Sequence, residues 1–137
     1  FATLFYGILD LADGNLDYIN AGHNFPMILK EENISERLKT TGPALGIMAN
    51  ASFNIKSVKL NNNDLLFLYT DGLTERMNEN NTQFGETRVI DILTNGLIIN
   101  TQQIINKIGE QIYNFSKSND EIDDTTFMAV KIKKYFE

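Results

Sequence analysis

Thr70-Asp71-Gly72-Leu73-Thr74-Glu75 sets two carboxylates four residues apart, directly after the apolar run Leu65-Leu66-Phe67-Leu68-Tyr69. A carboxylate at the end of a buried strand is held still, as a metal ligand must be, and Gly72 lets the backbone turn sharply beside it or approach a ligand closely. Glu75 falls within the same turn and could face the same space. A second acidic pair, Asp123-Asp124, stands just before the last apolar segment. Adjacent acids at the start of a buried strand repel each other and lose hydration if dry; a divalent cation would relieve both costs. Plainer readings stay open for each element. Asp-Gly is a common turn, Asp is a common helix N-cap, and acidic runs are usually solvated faces.

Asn20-Ala21-Gly22-His23-Asn24 holds the only histidine of the sequence. His23 could act as a base, contact a phosphate, or sit in a polar turn. A structural or supporting role suits it better than catalysis, because no Gly-x-Ser-x-Gly and no cysteine offers it a nucleophile to activate. Gly42-Pro43-Ala44-Leu45-Gly46 is not a phosphate loop, since no Gly-Lys-Ser/Thr follows. The absence of cysteine excludes disulfide frameworks, zinc knuckles, thiolate nucleophiles and iron–sulfur clusters. It also fits a reducing compartment, and a cytoplasmic location is expected. What remains is carboxylate, hydroxyl and backbone chemistry.

The 137 residues amount to one ordinary domain, long enough to bury a core without staples. Hydrophobic residues make up 42% and charged residues 22%, which is globular composition. Lys plus Arg number 12 against 18 Asp plus Glu, a net charge of -6. Nucleic acid is therefore not an expected partner, because phosphate neutralisation needs clustered basic residues. No apolar run approaches the roughly 20 residues of a spanning helix, so no membrane contact is expected from this segment. The sequence starts with Phe1 inside an apolar run and shows no signal peptide. A fragment of a longer domain is the expectation.

The elements that must position these residues follow from periodicity. Phe1 to Leu11 suits a strand buried on both faces, Asp13-Gly14 a hairpin turn, and Leu16 to Ala21 the return strand. Met27-Ile28-Leu29 is a third strand, Ile34 to Thr41 a strand or extended loop, and Phe53 to Leu60 an alternating strand. Leu65 to Tyr69 reads as a central strand. The period then changes to helical. Val89, Ile92 and Leu93 mark one helix, capped by Asn95-Gly96. Ile104, Ile105, Ile108, Ile112 and Phe115 mark a second, capped by Asn100 or Thr101. Ser116 to Asp124 reads as a polar loop and Thr125 to Ile132 as a final strand. The expected class is α+β, with mostly antiparallel sheets forming a β-sandwich flanked by helices.

Taken in order, the motifs resemble one family. Gly14-Asn15-Leu16-Asp17-Tyr18-Ile19-Asn20-Ala21-Gly22-His23-Asn24, Gly42 with Ala44-Leu45-Gly46, Asp64 to Glu75, Phe84-Gly85-Glu86 and Asp123-Asp124-Thr125-Thr126 look like the stage II sporulation protein E-like phosphatases. These are a branch of the metal-dependent type 2C serine/threonine protein phosphatases. The series is spread from Phe1 to Ile132. Two positions depart from the family's pattern: Phe25 stands where Pro is usual, and Thr125 where Ile or Met is usual. The family's upstream Gly-Asp-Tyr/Phe and Asp-x-Ser-Gly-x-Gly motifs, with the bridging aspartate, do not occur here. The resemblance thus implies that residues 1–137 are the C-terminal, larger portion of one phosphatase domain, without its N-terminal metal-binding portion.

By this resemblance Asp71 and Asp123 are metal ligands and Glu75 is a candidate ligand for an additional ion. Gly72, His23 and Asn24 lie near the active site, with no catalytic role carried over beyond the metal ligands. The implied cofactors are two Mg²⁺ or Mn²⁺ ions. The implied activity is hydrolysis of phosphoserine or phosphothreonine on a regulatory protein, an anti-sigma-factor antagonist, by a metal-bridged water. The 137-residue chain alone is expected to be inactive. It is also expected to form a homodimer or strand-swapped assembly through exposed strand edges. The alternative is a metal-free scaffold or sensor domain that keeps the fold and binds a partner protein.

Overall fold

The computed structural model describes residues 1–31, 33–95, 100–116 and 124–133. Its elements in chain order are β1 (Leu4–Leu9), β2 (Asn15–Ala21), β3 (Met27–Lys30), β4 (Asn33–Arg37), β5 (Lys56–Lys59), β6 (Leu65–Tyr69), α1 (Asp71–Thr74), α2 (Gly85–Thr94), α3 (Thr101–Phe115) and β7 (Phe127–Lys131). Two antiparallel sheets result, with orders β1-β2-β5 and β4-β3-β6-β7. The protein is α+β, as its periodicities predict.

Alternation along β3 and β6 explains the layering. Ile28 and Leu66 face the first sheet and join Leu16, Tyr18, Leu38 and Leu60 in one core. Met27, Leu29, Leu65, Phe67 and Tyr69 face the other way, onto Val89, Ile92 and Leu93 of α2 and Ile104, Ile108 and Ile112 of α3. Both faces of β6 are therefore dry, which is why its sequence is continuously apolar rather than alternating. Each buried isoleucine of the α3 stripe contributes about 2 kcal/mol. The N-terminus of α3 is closed by Asn100, whose side chain accepts from the Gln103 N–H at 3.0 Å. Such a cap adds about 1 kcal/mol.

The hairpin forms, but by a wider turn than the two-residue Asp-Gly loop. Asp10 N–H donates to the Asn15 carbonyl at 2.8 Å and Gly14 N–H to the Asp10 carbonyl at 2.7 Å. The Asp10 and Asp13 carboxylates accept from Ala12 and Asn15 N–H groups inside the turn. Gly14 takes φ 80°. A Cβ there would also overlap the Leu60 carbonyl.

The expectation that β1 is buried on both faces needs correction. Phe5 and Leu9 pack into the core between the sheets. Leu4, Tyr6 and Ile8 point outward and are 39%, 55% and 61% exposed. Among the described residues nothing covers that outer face. The ladders of β4 and β5 are also shorter than the apolar patterns around them, and Gly96 lies outside the described residues. No helix among the described residues is long and apolar enough to cross a membrane.

Candidate metal centre

β6 delivers Asp71 to the end of the second sheet. Its antiparallel ladder with β7 pairs Tyr69 with Phe127, and the pairing continues past both strands. Thr70 N–H donates to the Thr126 carbonyl at 2.9 Å, and Thr126 N–H donates to the Thr70 hydroxyl at 3.0 Å. One step further, the Thr125 hydroxyl donates to the Gly72 carbonyl at 3.0 Å. Gly72 lies against the Asp124 carbonyl so closely that a Cβ would overlap it. This seam sews the Thr-Asp-Gly turn to the residues that follow the acidic pair. It also gives the unusual Thr125 a hydrogen-bonding task that Ile or Met could not perform.

Asp71 is exposed at the first position of α1. Its carboxylate accepts the Gly72 N–H at 3.0 Å, and among the described residues no Lys or Arg pairs with it. An exposed, rigidly mounted, un-neutralised carboxylate is a fitting donor for Mg²⁺ or Mn²⁺, which keep several waters and need few protein ligands. Thr70, not Asp71, occupies the N-cap position, and it makes no side-chain cap. Glu75 is exposed one turn on, its N–H donating to the Asp71 carbonyl at 2.8 Å. Asp123 lies outside the described residues. Asp124, beside it, is exposed. Among the described residues no three acidic or imidazole groups gather tightly enough to hold an ion.

His23 and Asn24 follow β2. His23 Nδ1 lies 3.0 Å from the Thr3 hydroxyl, and its N–H donates to Asn20 Oδ1 at 2.8 Å. Asn20 is fully buried and in turn donates to the Leu38 carbonyl at 3.0 Å. The Asn-Ala-Gly-His-Asn segment is thus braced around Asn20, a residue the sequence reading left without a role. Asn24 reaches the Tyr69 hydroxyl.

Tyr69, Glu86 and Arg37 form a network that sequence reasoning missed. Tyr69 Oη donates to Glu86 Oε1 at 2.7 Å, and Arg37 Nη1 donates to Glu86 Oε2 at 2.6 Å. Glu86 sits in the first turn of α2, after Gly85 at φ 79°. The network ties the end of β6, two residues before Asp71, to β4 and α2. The signal lay in Phe84-Gly85-Glu86, a motif visible in sequence whose partners are distant. Arg76 reaches across likewise, its Nε donating to the Ser116 hydroxyl at 3.1 Å.

Burial, then the bond to Glu86, pushes the Tyr69 phenol well above its ordinary value. Burial, then the nearby charge of Glu36, raises Tyr18 in the same sense. A phenol whose folded pKa is raised contributes stability that is intact below its unfolded pKa of about 10 and is lost as pH climbs above it. Thermal unfolding should therefore show a falling midpoint above about pH 10. Tyr69→Phe should flatten part of that fall while lowering stability near neutrality by about 1 kcal/mol. An unchanged alkaline slope in Tyr69→Phe would count against this coupling.

A family model described as stage II sporulation protein E (SpoIIE) matches residues 1–133. Protein IcfG of Synechocystis sp. is 41% identical over 130 residues, covering 95% of this chain and 20% of IcfG. Phosphoserine phosphatase RsbP of Bacillus subtilis is 23% identical over 133 residues, covering 97% of this chain and 31% of RsbP. The Mn-presoaked phosphatase domain of the cell fate determinant SpoIIE from Bacillus subtilis superposes with a TM-score of 0.74 at 19% identity. That match takes in 98% of this chain and 58% of the solved domain. The chain therefore spans less than a third of the two full-length relatives and somewhat over half of the solved domain.

Proposed function

The chain belongs to the stage II sporulation protein E family, and on that premise we propose that it is part of a metal-dependent phosphatase acting on phosphoserine or phosphothreonine of a regulatory protein. The seam from Thr70–Thr126 to Gly72–Thr125 carries the reading. It brings Asp71 and Asp124, the sequence neighbour of Asp123, to one end of one sheet. RsbP, a phosphoserine phosphatase by name, supports the reaction, and an anti-sigma-factor antagonist is the substrate class we favour. A cytoplasmic location goes with that substrate.

In this proposal Asp71 and Asp123 hold metal, and Glu75 is available one turn away for an additional ion. Bound Mg²⁺ or Mn²⁺, two ions in an intact domain, would lower the pKa of water and neutralise charge on the phosphoryl oxygens. The chain's own part is to hold the carboxylates still. The β6–β7 ladder fixes Asp71, Gly72 admits the neighbouring strand, and the Tyr69–Glu86–Arg37 network braces the end of β6. No enzyme nucleophile is required, which suits a chain with no cysteine and one histidine.

We further propose that residues 1–137 make up the C-terminal portion of the domain and are inactive alone, a reading supported by the chain's spanning 58% of the solved SpoIIE phosphatase domain. The test is phosphate release from a phosphoserine protein with Mn²⁺, by the intact protein and by the 137-residue chain. Activity in the first and none in the second is expected; robust Mn²⁺-dependent turnover by the chain alone would overturn the portion reading. The isolated chain should also self-associate, because among the described residues β1 lies at a sheet edge and turns Leu4, Tyr6 and Ile8 outward. Light scattering that finds only monomer at high concentration would refute this.

A further inference from the structure

The two sheets leave a groove of about 450 Å³ on the side where β4 and β5, an edge strand of each sheet, come together. Tyr18, Glu36, Arg37, Lys39, Lys56 and Ser57 line it. The chain carries a net charge of -6, yet this groove holds three cationic residues against one carboxylate. Arg37 is engaged by Glu86. Lys39 and Lys56 are exposed and have no ion-pair partner among the described residues. Tyr18 is 4% exposed. Tyr18 lines the groove, so a docked segment can offer its hydroxyl an acceptor.

Strand register places the groove relative to Asp71. Arg37 pairs with Met27, and Met27 with Phe67, four residues before Asp71. Strand rise and spacing put the two sites on the order of 15 Å apart, a span of about five extended residues. A peptide held by its phosphoserine at the metal centre could lay its flanking residues there.

We propose that this groove docks an acidic segment of the phosphoprotein substrate, some five residues from the phosphorylated side chain. The inference rests on the phosphatase reading and adds the substrate's charge pattern to it. Lys39 and Lys56 supply long-range attraction, which acts through KM more than through the chemical step. The Tyr18 hydroxyl donates to a carboxylate or carbonyl of the docked segment.

The test uses the intact phosphatase with Mn²⁺ and two phosphoserine peptides. One carries three glutamates about five residues from the phosphoserine, the spacing set by strand rise; its twin carries glutamines. The acidic peptide should show a KM lower by about fivefold with an equal kcat. In Lys39→Glu/Lys56→Glu that preference should vanish or invert, while the glutamine twin and p-nitrophenyl phosphate are hydrolysed as before. Lys39→Arg/Lys56→Arg should retain it. Equal KM values for the twins in the unaltered protein, or a preference that survives the double charge reversal, would overturn the proposal. A protein that hydrolyses neither peptide nor p-nitrophenyl phosphate would remove the phosphatase reading itself, and the groove's role with it.

Discussion

Asp71→Asn in the intact protein is expected to lower Mn²⁺-dependent phosphate release by about 10²-fold or more, and Asp123→Asn to do the same. The substitution is chosen to separate charge from structure. Asparagine keeps the size of Asp71 and an oxygen that can accept the Gly72 N–H. Asp71 is exposed, and surface changes away from packed features usually stay within about 0.5 kcal/mol of stability. The folded state should therefore persist while the anionic donor is lost. A Mn²⁺ titration followed by calorimetry gives a readout independent of turnover: the affinity should weaken in each variant. Unchanged turnover and unchanged Mn²⁺ affinity in both would sink the metal-centre assignment and favour a metal-free scaffold.

The second large effect concerns Gly72, and its sign is diagnostic. In a helical position, alanine normally stabilises relative to glycine by about 0.5–1 kcal/mol. Gly109 in α3 is such a case. It is exposed, and a Cβ there would meet nothing within 4 Å. Gly109→Ala should stabilise. At Gly72 the added methyl would run into the Asp124 carbonyl, a backbone atom that cannot rotate aside. Something in the seam must move, at a cost of about 1–3 kcal/mol. The Thr125–Gly72 and Thr126–Thr70 hydrogen bonds are the first at risk. Displacement of a ligand-bearing loop by about 1 Å can lower turnover by about 10²-fold. Urea denaturation of the two variants checks the argument, because propensity alone predicts stabilisation for both. If Gly72→Ala is as stable as Gly109→Ala and fully active, the seam does not position the site.

Much of the architecture is legible in the residues. The apolar run of β6, the isoleucine stripe of α3 and its Asn100 cap are local patterns, and a local pattern needs only backbone period and near neighbours to be read. The turn at Gly14 was legible in kind but not in width, because Asp10 and Asp13 compete for backbone N–H groups within it. The exposed face of β1 is hidden from a local reading for a related reason. Leu4, Tyr6 and Ile8 look like core residues, but whether a strand face is covered is not encoded in its own segment.

The available chemistry and the order of the motifs are properties of the residues alone. With no thiol and one imidazole, carboxylate, hydroxyl and backbone chemistry remained, and Thr70-Asp71-Gly72 stands where a rigid strand ends. Tertiary structure alone decided what that turn meets. Gly72 and Thr125 stand 53 positions apart, and only the β6–β7 register brings them into contact. Glu86 likewise acquires its meaning from Arg37, 49 positions away, and from Tyr69. The physical reason is common to both. Hydrogen bonds and close backbone approaches act over a few ångströms, so a sequence can announce the groups that need partners, but the packing of strands selects which distant group each one finds.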